Sequence, residues 1–117
     1  VLPLCLHKDS REVLAGSPRS YLLNTTEKNQ QVMVGFANRV TQMLPYTFEG
    51  FGLLMERGCI TVTDDGRIRI VLDSKVRKTV SGTEETVSCQ KAARIVGREF
   101  ARIADRATVY TTFGIRP

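Results

Sequence analysis

Lys91, Arg94, Arg98 and Arg102 follow one another at steps of three, four and four, the spacing that stacks side chains along one helix face. Arg106 would extend the row if the helix continued. Four cations in line can neutralise successive phosphates or meet an acidic protein groove. The bland alternative is a solvated face, because Arg and Lys are good helix formers that must point somewhere. Asp105 is the one carboxylate expected near this face, so the row should keep its charge. Arg116 adds a cation one residue before the end of the sequence. Packing gives it little reason to be held there, so it is expected to be a contact point.

A second set of cations is weaker. Arg67 and Arg69 alternate with Ile68 and Ile70, and as strand residues they would share one face. On a wing lying against DNA they would follow phosphates; on an edge strand they would equally deter aggregation. Arg57 is the sole cation in the stretch 47–57, which otherwise offers Glu49, Glu56, Gly50 and Gly52. A helix that reads base edges offers Arg, Lys, Asn or Gln near its start. This one has the place of a recognition helix without the side chains.

Bond-making chemistry has no visible apparatus. The single histidine, His7, excludes a multi-histidine metal site, and the serines lie in no GxSxG setting. No glycine-rich phosphate loop is present. Three cysteines, Cys5, Cys59 and Cys89, are an odd count without CxxC spacing, which suits buried reduced thiols in a cytoplasmic protein. Asp64 and Asp65 fall in a turn, where Asp is favoured for backbone reasons. No enzymatic activity, cofactor or metal is expected.

The elements that must position these residues are legible in part. Asp9 or Ser10 can cap a short helix over 11–15, stopped by Gly16, Ser17 and Pro18. A second helix is expected from Thr25 or Thr26, carrying Val32, Phe36, Val40, Met43 and Leu44, until Pro45 ends it. Thr47 then caps a third, with Phe48, Phe51, Leu54 and Met55 as its core face and Gly58 closing it. Ile60 and Val62, an Asp65-Gly66 turn, and Ile68 and Ile70 form a hairpin. A further short strand is expected over 75–80. Thr83 caps a long helix whose buried face is Cys89, Ala93, Val96, Phe100 and Ile103, with Glu84 and Glu85 in its first turn. The ending 105–114 suits a short helix capped by Asp105 and closed by Gly114, although Val109, Thr111 and Phe113 could also alternate as a strand.

At 117 residues, one domain is expected, α+β and predominantly helical. Its pattern is winged-helix-like, with a two-stranded hairpin wing and a long C-terminal helix. Charge is uneven: residues 1–66 carry six Lys/Arg against seven Asp/Glu, and residues 67–117 carry eleven against five. An acidic partner would therefore meet the second half. No stretch has the roughly 20 apolar residues of a membrane span. The chain does not begin with Met, which leaves room for preceding sequence.

Three stretches resemble one small bacterial family: VLPLCLHKDSREVL at the start, LPYTFEGFGLLMERGCITV in the middle and ARIVGREFARIADRATVYTTFGIRP at the end. Within them the most specific residues are Leu4, His7 and Arg11, then Gly97-Arg98 with Phe100-Ala101, and finally the run from Phe113 to Pro117. The family is the middle component of three-component ABC-ATPase conflict systems. The resemblance implies an adaptor encoded beside an ABC/SMC-like ATPase and an effector, often a nuclease, in defence against phage or plasmids. It brings no catalytic residues with it. The polar segment 75–82 departs from the pattern. The alternatives are a DNA-binding winged-helix regulator using Arg57, Arg67 and Arg69, and a structural subunit whose apolar N-terminal segment completes a homodimer.

Overall fold

The computed structural model describes residues 1–16, 19, 21–72, 79–103 and 105–116. Among the described residues six α-helices and two strands follow in the order α1 (Leu2–Cys5), α2 (Lys8–Gly16), α3 (Leu22–Lys28), a 3-10 turn (Gln30–Val32), α4 (Phe36–Glu56), β1 (Ile60–Val62), β2 (Ile68–Ile70), α5 (Glu84–Arg102) and α6 (Arg106–Thr112). This is the expected α+β class, mostly helical, with one antiparallel hairpin and a long helix towards the C-terminus. The chain divides into two compact units, Val1–Gln42 with Val80–Pro117, and Met43–Thr79.

In the first unit α1 and α2 pack on α5. Its core joins Leu4, Cys5, Leu14, Leu22, Val32, Phe36, Ala92, Val96 and Phe113. The Phe36 and Phe113 rings lie 4.8 Å apart, and Phe100 meets Phe113 edge-on at 6.2 Å, geometries aromatic pairs favour. The N-terminal apolar segment is spent here, with Pro3, Leu4 and Cys5 buried. Thr83 caps α5 as expected, its Oγ1 accepting from Thr86 N at 3.2 Å. Asp105 caps α6 by accepting from the backbone of Ala107 and Thr108. Gly114 N donates to Thr111 O and Ile115 N to Tyr110 O, the paired bonds of a Schellman closure. The short-helix reading of the ending is the correct one.

The expected helix from Thr25 to Leu44 is broken in two. Gly35 has φ +67°, a left-handed conformation that other residues rarely adopt. Arg39 supports the break from the next helix, its guanidinium donating to Val32 O at 2.7 Å and Val34 O at 2.6 Å. Pro45, expected to end a helix, instead lies inside α4. Its ring removes an N–H from the carbonyl of Thr41, but both residues are exposed, so water can satisfy that oxygen. Thr47 consequently caps nothing: its hydroxyl donates back to Met43 O at 3.0 Å, and the stretch 47–57 is the distal half of one long helix.

The second unit holds that distal half and the hairpin. Gly58, at φ +66°, closes α4 as expected: Gly58 N donates to Met55 O and Cys59 N to Leu54 O. The strands pair Ile60 with Ile70, Thr61 with Arg69 and Val62 with Ile68, so the four apolar residues share one face of the ribbon. The loop has three residues, Thr63 N donating to Arg67 O and Gly66 N to Thr63 O, with Gly66 in the left-handed position such loops use. Arg67, whose carbonyl closes the loop, lies just ahead of β2, whereas Arg69 is within it. The expected core face of this helix is not a core. Phe48 is 66% exposed, Met55 48% and Leu54 38%; Phe51 alone is half-buried. Two three-residue strands give a helix too little surface to cover it. Of the strand expected over 75–80, residues 75–78 lie outside those described.

Candidate interaction face on the long helix

α5 is a 19-residue amphipathic helix. Its buried line is Ala92, Val96 and Glu99, flanked by half-buried Cys89, Ala93, Ile95, Phe100 and Ile103. The expected line was nearly right but displaced towards Ala92, and it missed one residue that decides the local electrostatics. Glu99 is 2% exposed. A glutamate between Arg98 and Phe100 looks like a surface residue in sequence, and nothing local signals otherwise.

Three donors stabilise that carboxylate. Glu99 Oε2 accepts from Leu22 N at 3.2 Å, and Oε1 accepts from Arg98 Nε and Arg102 Nη1, both at 3.2 Å. Leu22 is the first residue of α3, whose N-cap Tyr21 offers no side-chain bond. The opening N–H groups of a helix need acceptors and its positive end favours an anion. Glu99 supplies both from 77 positions away in the chain. This explains why α3 begins at Leu22 and not at Thr25 or Thr26. Those threonine hydroxyls donate backwards, to Tyr21 O and Leu23 O. The Arg102 guanidinium also lies 5.6 Å from the Tyr21 ring centre, a cation–π distance.

Lys91, Arg94, Arg98 and Arg102 are all exposed and fall on one side of the helix, as their spacing requires. The expectation that no acid compensates them needs correction, because Glu99 engages the last two. Within 90–102 the helix still carries four cations against one carboxylate. Asp105 serves α6 instead, and hydrogen bonds from the Ala107 backbone, the Thr108 side chain and the Thr108 backbone hold its carboxyl below the usual range. Arg116 is exposed at the end of the same unit. Arg57, Arg67 and Arg69 are exposed in the other unit, where Arg67 pairs with Asp65 at 3.0 Å.

The residues near the start serve the fold. Arg11, 7% exposed, donates to Leu6 O at 2.8 Å, to Cys5 O at 3.3 Å and to Glu85 at 3.3 Å. It thereby fastens the end of α1 and the start of α5 to α2. His7 Nδ1 sits 2.9 Å from Ser10 Oγ, a local contact within α2's first turn. Among the described residues no group of His, Cys, Asp or Glu could hold a metal ion. Cys5 is buried, whereas Cys59 and Cys89 are only half-buried, and all three are free thiols. Burial pushes the Cys5 thiol up. Among the described residues no helix is long and apolar enough to cross a membrane.

Several residues that carried the family resemblance thus hold the first unit together: Leu4, Phe100 and Phe113 in or against its core, and Arg11 across three helices. No curated protein and no solved structure matches the chain. The family model of the ABC-three component (ABC-3C) system Middle Component 3 matches residues 1–117, the whole sequence, and the chain belongs to that family.

Proposed function

We propose that this middle component is a non-enzymatic, cytoplasmic adaptor that links an ABC/SMC-like ATPase to an effector in a prokaryotic defence system. The observation that carries the reading is the side of α5 bearing Lys91, Arg94, Arg98 and Arg102. It is exposed along three turns, and a buried carboxylate holds two of its arginines in place. Arginines fixed in this way lose less side-chain entropy on meeting an acidic surface. Family membership supports partners within a three-component ABC system; the ATPase and the effector are the partners proposed, with Arg116 a secondary contact.

DNA binding by the chain alone has less support. Arg67 is engaged by Asp65, and the outer side of the distal half of α4 presents Glu49 and Glu56. A gel-shift titration at two salt concentrations separates the readings: tight binding with a steep salt slope would favour DNA.

The reversal that tests the face is Lys91→Glu with Arg94→Glu. This pair is expected to lose co-purification with the ATPase while the thermal midpoint moves by no more than about 2 °C, as surface substitutions do. Undiminished co-purification would reject the face. A large loss of midpoint would assign those residues to the fold.

A further inference from the structure

In the second unit Ile60 is the one apolar side chain that is buried among the described residues. A unit of fewer than about 40 residues rarely stabilises itself on its own core and commonly gains from association. The distal half of α4 carries an apolar line in which Phe51 is half-buried and the other members are exposed. Leu44, Phe48, Phe51 and Met55 recur at steps of four, three and four, within about 60° of one another around the helix. Leu44 is 43% exposed, Phe48 66% and Met55 48%. A 4-3-4 step is the seam by which two helices interlock.

From this seam we infer that two copies of the chain pair helix to helix, α4 against α4, about a two-fold axis. The charges argue for a second copy. Flanking charges are what normally direct one helix to a different one, and the positions bordering this seam, Thr47 and Gly52, carry none. Glu49 and Glu56 point more than about 100° away, so two copies meet without like-charge repulsion. Gly52 also lets the backbones approach. Covering these side chains on both copies makes a small interface, below about 1,200 Å² in total, the class in which weak association is found. The ribbon face of Val62, Ile68 and Ile70 stays outside this contact.

Sedimentation equilibrium of the full chain over roughly 10–300 µM, the range suited to an interface of this size, tests the pairing. The wild type should approach twice the chain mass. Phe48→Glu and Met55→Glu should each remain monomeric with unchanged circular dichroism, and Ile70→Glu should associate like the wild type. A wild type that stays monomeric throughout overturns the inference. So does a Phe48→Glu dimer, or a monomer produced by Ile70→Glu, which would place the contact on the ribbon. The pairing does not depend on the basic face of α5, and the Lys91→Glu, Arg94→Glu protein should associate normally.

Discussion

Phe113 and Phe48 are the same residue in opposite circumstances. Phe113 is 2% exposed, packed at a tilt against Phe36 and met edge-on by Phe100. Phe48 is 66% exposed in a unit whose one buried apolar side chain among the described residues is Ile60. The first unit gathers a core of nine buried residues; in the second, most large apolar side chains of α4 and the ribbon are exposed. An unpaired apolar line in a folded protein marks a contact surface more often than a defect. Two units with unlike surfaces suit a protein whose work is to hold other molecules.

The contrast is easiest to break with alanine. Phe113→Ala should cost about 4 kcal/mol in urea unfolding, as large aromatic truncations in cores do. Phe48→Ala, measured at a concentration where the chain is monomeric, should stay within about 0.5 kcal/mol. Equal losses would show that the second unit has a core after all. Glu99→Ala should cost about 3 kcal/mol, because it leaves Leu22 N without an acceptor and two arginines without their counter-charge. Glu99→Gln, which keeps an acceptor for Leu22 N, should recover part of that.

Glu99 also shows where sequence reasoning stops. Capping rules work when the cap is local, as at Thr83, Asp105, Gly58 and Gly114. They fail at α3, whose N-terminus is served by a carboxylate from another helix. The row of cations was legible because spacing alone places it, whereas its partial neutralisation was not, since burial of Glu99 depends on how α3 meets α5. Pro45 misled for a related reason. A proline ends a helix when the freed carbonyl has nowhere to go, and an exposed outer face provides somewhere. The apolar line of 48–55 was recognised, but its periodicity could not say whether the chain would cover it.

Smaller effects sharpen the comparison further. Pro45→Ala should raise stability by about 1–3 kcal/mol, since proline costs roughly that in a helix interior; a loss would mean that the ring shapes α4. Thr83→Ala should cost about 1 kcal/mol through the lost cap of α5. The Asp105 carboxyl, held low by its bonds to the start of α6, should give stability that is complete above the ordinary carboxylate range. That stability fades as pH falls through its depressed value. Amide exchange at Ala107 and Thr108 followed towards acid reads this directly, and Asp105→Asn should flatten the profile.

The adaptor claim itself is best tested by co-expressing the ATPase and the effector with and without this chain and measuring what elutes together. The account predicts that the two co-purify when the middle component is present and separate when it is left out. Equal co-purification in its absence would contradict it.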